Sequence, residues 1–164
     1  MHKIIVLLLL FVVGVPSTMA ANIDIKWTDP DSYTDIRPGN NNRKHFREHT
    51  FKHFEKHFIK LASQLPEGQQ LNIEVINVDL AGSTFYGGIN RIRVVSDMHP
   101  PRLYFYYQLL NVDQSMMVEG KATLKNMGFM RSRALRYSND SLGHEKAMLD
   151  KWFAHTFSSL LDHK

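Results

Sequence analysis

Four histidines recur at every fourth position in RKHFREHTFKHFEKHF, residues 43–58: His45, His49, His53 and His57. On a helix, side chains four residues apart are neighbours. Adjacent imidazoles at that spacing can chelate Zn²⁺, Cu²⁺ or Ni²⁺, which makes His49, His53 and His57 candidate metal ligands. Two imidazoles supply only half of a tetrahedral set. No Asp or Glu shares the stripe, and Lys56 and Lys60 lie among the histidines, where an ammonium opposes a dication. At about 100° per residue from His45, the histidines fall between roughly 0° and 120°. Phe51, Phe54, Phe58, Leu61, Ala62 and Leu65 fall between roughly 160° and 260°. The expectation is a helix that buries its phenylalanines and turns its histidines outward. Three readings of that face stay open: a solvated polar surface, a pH-responsive anion-binding surface and a metal site.

A second constellation lies on loops. Asp29, Tyr33, Asp35 and Arg37 follow the first strand-like segment, and Asp79 and Gly82 end the second. Arg91, Arg93, Asp97 and Arg102 surround the third, and Arg131 follows MGFM. If the first two strands run parallel, their carboxy-terminal ends open on one edge of a sheet. Asp29, Asp35 and Asp79 could then gather there with the later arginines, in the position where open sheets commonly hold ligands. A small anion or sugar suits such a cleft, and a hydrolase using Asp35 or Asp79 is an alternative. An Asp/Arg network that only ties loops down explains the same residues. There is no Ser-His-Asp order, Gly-rich phosphate loop or HExxH signature, so no catalytic residue is assigned and no cofactor is expected.

The elements that must position these groups follow from periodicity. Ile23, Ile25 and Trp27 alternate with polar residues as a half-buried strand. A long loop, TDPDSYTDIRPGNNN, leads to a helix over 45–65 that Pro66 and Gly68 stop. LNIEVINVDL, residues 71–80, is a strand whose apolar phase changes after Val75, from coverage on both faces or from a bulge. Residues 81–101 read as mostly irregular, with a short strand at Ile92–Val95. RLYFYYQLL reads as a central strand, and MMVEGKATLK as an outer strand antiparallel to it. A last helix covers about 143–162 with Leu149, Trp152, Phe153, Thr156 and Leu160 buried. The order β-α-β-β-β-α predicts one two-layer α+β domain over 21–164, with two helices on one face of a mixed sheet.

Residues 1–20 combine Lys3, an apolar stretch from Ile4 to Val15 and small residues up to Ala20. A dozen or so apolar residues fall short of the roughly 20 that a membrane span needs, so a cleaved signal peptide is expected. No second apolar run follows. The chain has no cysteine, which excludes disulfides and thiolate chemistry in the exported protein. Without Lys3, 19 basic residues face 16 acidic ones. Residues 43–60 alone carry Arg43, Lys44, Arg47, Lys52, Lys56 and Lys60 against Glu48 and Glu55. The positive charge therefore belongs to one helix. It suits an anionic envelope component, a lipid or lipopolysaccharide, and is too local for a nucleic-acid protein.

The motifs KWTDPDSYTDIRP, NVDLAG, IRVVSDMHPPRLYFYYQLL, LKNMGFM and EKAMLDKWF together resemble an exported bacterial family, domain of unknown function number three thousand and sixteen. The resemblance spans nearly the whole chain after the leader. It implies a periplasmic protein of Gram-negative proteobacteria and carries no catalytic residues to transfer. The histidine ladder is not among the shared motifs. The expected role is a soluble periplasmic binding or envelope-assisting module without chemistry of its own. A metal-binding or metal-buffering protein that uses the ladder is the alternative.

Overall fold

Alternation puts Ile23, Ile25 and Trp27 on one side of strand β1, Asn22–Trp27, with their polar neighbours opposite. The computed structural model describes residues 21–38, 42–87, 90–131, 137 and 139–161, so the expected signal peptide, residues 1–20, lies outside the described residues. β1 pairs in parallel with β2, Gln70–Asp79, which in turn pairs antiparallel with β5, Arg102–Leu110. β6, Met116–Lys125, completes the order β1-β2-β5-β6. The sheet is mixed, with the aromatic strand in its interior and β1 and β6 at its edges, as the patterns predict.

The change of phase in β2 is a bulge. The register with β5 shifts between Val75 and Asn77, leaving Ile76 as the extra residue. One inserted residue flips the faces of everything beyond it. Leu71, Ile73, Val75, Val78 and Leu80 are consequently all buried.

Helix α1, Arg43–Ala62, starts where the Asn42 side chain accepts from the backbone N–H groups of Lys44 and His45. Trp27 of β1 stacks on Phe51 at 3.9 Å between ring centroids and donates its indole N–H to Glu55. Phe58 meets Phe105 of β5, and Phe105 meets Trp152 of α2, Gly143–Thr156, edge to face at 4.8 Å. Both helices thus cover the same face of the sheet and share one core with it. A short helix α3, Ser158–Leu161, continues past Phe157, so the expected single helix over 143–162 is broken in two. Among the described residues, no helix is long and apolar enough to cross a membrane.

The stretch after residue 81, expected to be mostly irregular with a short strand at Ile92–Val95, holds a hairpin whose second arm is that strand. Strand β3, Ser83–Gly87, pairs antiparallel with β4, Asn90–Val94, as a separate two-stranded sheet. Its apolar residues Phe85, Ile92 and Val94 face solvent, so burial gave no guide to the first arm.

The expectation that all four ladder histidines face outward fails at His57, which is only 5% exposed. The reason is α2. Its Asp150 places Oδ1 2.9 Å from His57 Nε2, and the Asp150 Oδ2 accepts from the Tyr137 hydroxyl at 2.8 Å. The carboxylate favours the charged ring, and burial of the imidazole opposes it. His57 therefore ties α1 to α2.

Candidate functional site

The parallel pairing of β1 with β2 brings their carboxy-terminal ends to one edge, and the loop after β1 stays on that edge. Asp29 turns the chain through a positive φ of 48°, with Ser32 N–H donating to its carbonyl. Tyr33 donates its hydroxyl to the Val75 carbonyl at 2.8 Å. Thr34 and Asn77 exchange two hydrogen bonds, one of them from the Thr34 N–H to Asn77 Oδ1. Asp35 N–H then donates to the Val78 carbonyl, and Leu80 N–H to the Asp35 carbonyl. This is a parallel bridge that sets Asp35 beside Asp79.

Arg93 of β4 locks the arrangement. Its Nη2 donates to Asp35 Oδ1 and to the Arg37 carbonyl, each at 2.9 Å. Its Nη1 reaches the carbonyls of Leu80, Ala81 and Gly82 at 3.2–3.5 Å. One guanidinium so satisfies the turn between β2 and β3 and fixes the hairpin against the sheet. Arg102, the first residue of β5, approaches Asp79 less closely, with Nε 3.7 Å from Oδ2. That Nε is buried and has no hydrogen-bond partner. Burial pushes the Asp79 carboxyl above its ordinary value, Asp35 adds to the rise and Arg102 opposes it.

Between these groups lies a cleft of about 390 Å³, bordered by Thr34, Asp35, Arg37, Asp79, Ser83, Thr84, Met98, His99 and Arg102. Of the residues singled out in the sequence, Asp35, Arg37, Asp79, Gly82, Arg93 and Arg102 come together. The others do not. Tyr33 is a core residue whose hydroxyl burial pushes up to about 12. Asp29 belongs to the turn before the cleft. Arg91, Asp97 and Arg131 are exposed and do not line it.

His99, Ser83 and Thr84 were not anticipated, because their place depends on the hairpin. Glu145 was also missed. It is 1% exposed, its Oε1 accepts the Ala81 N–H at 2.7 Å, and its Oε2 has no partner. Its signal was available: it precedes Leu149 by four residues and Trp152 by seven, on the buried stripe of α2.

The ladder divides. His49 and His53 bring their Nε2 atoms to 3.3 Å, while His57 points to Asp150. Burial lowers the pKa of His53, and His49 lowers it further. Burial also lowers that of His57, against the pull of Asp150. Two of the four imidazoles therefore gain charge later on acidification than free histidine would. Among the described residues, no group of three or more His, Asp or Glu side chains is placed to hold a metal ion.

Comparison with curated proteins returns no match, and neither does comparison with solved structures. Residues 21–155 match the model of a family described as "Protein of unknown function (DUF3016)", and the chain belongs to that family.

Proposed function

We propose that this is an exported, periplasmic binding module that performs no chemistry and holds the anionic group of a small polar ligand in the strand-end cleft. The observation that carries the reading is the unfinished contact of Arg102. Arg93 spends both terminal nitrogens on Asp35 and on loop carbonyls and does not border the cleft, whereas Arg102 borders it, its buried Nε lacks a hydrogen bond and Asp79 lies beyond bonding distance. Arg37 and His99 border the same space, and Ser83 and Thr84 supply hydroxyl groups for a ligand's polar atoms. Arginine suits phosphate and carboxylate because its donors are fixed in a plane.

Calorimetry with inorganic phosphate and citrate tests this. Arg102→Ala is expected to weaken binding by about tenfold or more, with little effect on thermal stability. Unchanged affinity in that variant, or no binding of either anion by the wild-type protein, removes the reading.

An anionic envelope partner, lipid or lipopolysaccharide, fits a second surface, since Arg43, Lys44, Lys52, Lys56 and Lys60 of α1 are exposed.

The metal-buffering alternative is favoured by one distance. Two nitrogens bound tetrahedrally to Zn²⁺ at about 2.0–2.1 Å stand about 3.3 Å apart, the separation found for His49 and His53. Solvent would complete such a site, so the affinity expected is modest. His49→Ala should abolish Zn²⁺ binding and His57→Ala should leave it intact. Equal loss in both variants, or none in either, excludes the pair.

A further inference from the structure

The apolar face of the hairpin is the largest unexplained feature near the cleft. Phe85 and Ile92 are direct cross-strand partners, and Val94 lies two residues from Ile92 on the same face. The opposite face carries Arg93, which is bonded to the body of the protein through Asp35 and the carbonyls of 80–82. The Phe85 face must therefore look outward, and it does: Phe85 is 48%, Ile92 52% and Val94 40% exposed. The patch continues through Val95 to Met98, which is 83% exposed.

This patch is continuous with the cleft. The Phe85 ring lies 6.1 Å from that of His99, and both Met98 and His99 border the cleft. Gly82 N–H donates to the His99 carbonyl at 2.9 Å, which holds the two segments together. A protein surface that sets large exposed apolar side chains beside arginines matches one partner by charge and polarity together: anionic headgroups above hydrocarbon. A soluble anion accounts for Arg37 and Arg102 and leaves Phe85, Ile92 and Met98 without a purpose.

We infer that the hairpin and cleft form a docking surface for an anionic lipid bilayer, with Phe85, Ile92, Val94 and Met98 entering the interface while Arg37 and Arg102 meet a phosphate headgroup. The inference rests on the cleft reading above and goes beyond it by naming the partner. Binding strength should follow both apolar burial and the density of anionic lipid, and should fall with salt.

The test uses the exported form of the protein in flotation with two kinds of vesicle: phosphatidylcholine alone, and phosphatidylcholine with phosphatidylglycerol. Glycerol phosphate serves as the soluble probe of the cleft. The protein should float with the anionic vesicles and not with the neutral ones. Phe85→Ser with Ile92→Ser should reduce vesicle binding about tenfold or more, because two large side chains no longer leave water. The same double variant should keep its affinity for glycerol phosphate, which also shows that it is folded. Arg102→Gln should lose both activities. If glycerol phosphate binds and anionic vesicles do not, the membrane inference is overturned and the cleft reading stands. Vesicle binding that survives the double variant overturns it too. So does a self-associated wild-type protein that the double variant turns monomeric, because a second copy then covers the patch.

Discussion

Glu145 shows what a single buried carboxylate does to the pH dependence of the whole protein. Burial pushes its pKa above the ordinary 4.5, and the Ala81 N–H and Arg93 only partly oppose this. Asp140 adds to the rise. The folded protein therefore keeps a proton on Glu145 at a pH where the unfolded chain has released it. In the window from about 4.5 up to the folded pKa, the native state binds more protons, so stability falls as pH rises and then levels off. Glu145→Gln has no proton to lose, so its stability should gain on the wild type between about pH 4 and pH 8. Urea melts of both proteins across that range measure the difference. Parallel curves would mean that Glu145 is ionised or solvated in the folded state. His57 works in the other direction. Its lowered pKa means that stability is complete above the free value of 6.5 and is lost as pH falls through the folded pKa. The two contributions run in opposite directions, that of Glu145 being complete only below about 4.5 and that of His57 only above 6.5, so neither is complete in the interval between.

At the scale of elements, the hairpin β3–β4 depends on one glycine. Gly82 has a φ of +81°, and a Cβ built there would stand 2.3 Å from the Val94 carbonyl oxygen and 2.8 Å from Val95 Cα. Both contacts are with backbone, so no side chain can turn aside to relieve them. Gly82→Ala should cost about 2 kcal/mol or more and displace β4, taking Arg93 away from Asp35. Gly128 is the control, since among the described residues its added Cβ would meet Asn126 Oδ1 only at 4.0 Å, and Gly128→Ala should stay within about 0.5 kcal/mol. Urea melts with phosphate titration read both effects, and a Gly82→Ala protein of wild-type stability would show that the hairpin does not press on this turn. The same hairpin marks where the sequence stops being legible. β1 and β6 could be read because alternation marks a half-buried strand, β2 because two apolar phases meet at its bulge, and β5 because its apolar and aromatic run is nearly continuous. The alternation of Arg91, Ile92, Arg93 and Val94 is just as regular, but there Arg93 is the residue tied to the body and the apolar side faces out. The alternation therefore revealed a short strand at Ile92–Val95 but neither its partner β3 nor which of its sides is the inner one. His57 shows a similar limit in α1. It lies nearest the apolar arc on the wheel, and only the arrival of Asp150 from α2 decides that it is buried.

At the scale of the whole molecule, the strand-end cleft was legible to the extent that it depends on topology. Parallel β1 and β2 bring Asp35 to Asp79, a gathering that the sequence offered on the condition that those strands pair in parallel. The arginines that answer them depend on the hairpin and on the start of β5, which divides the candidates into Arg93 and Arg102 inside and Arg91 and Arg131 outside. The molecule's beginning can be argued in the same way. β1 starts at Asn22, whose N–H donates to the Gln69 carbonyl at 2.8 Å, and the parallel register runs from Asn22 opposite Gln70 to Trp27 opposite Val75. A cut between Ala20 and Ala21 would leave every one of these contacts in place, so the exported chain is expected to begin at Ala21 or within a residue or two of it. A chain beginning at Thr28 would lose the edge strand, the Trp27–Phe51 stack and the packing of Ile23 and Ile25. Three large side chains, at up to about 1.5–3 kcal/mol each, sum to a loss of the same order as the stability of an ordinary domain, about 5–15 kcal/mol. The protein from Ala21 should therefore unfold in one cooperative transition, and the protein from Thr28 should be largely unfolded at 25 °C. Intact-mass measurement of the periplasmic fraction and urea melts of the two chains test the argument. A mature mass that retains Met1, or a chain from Thr28 as stable as the one from Ala21, would show that the fold does not begin where the leader is expected to end.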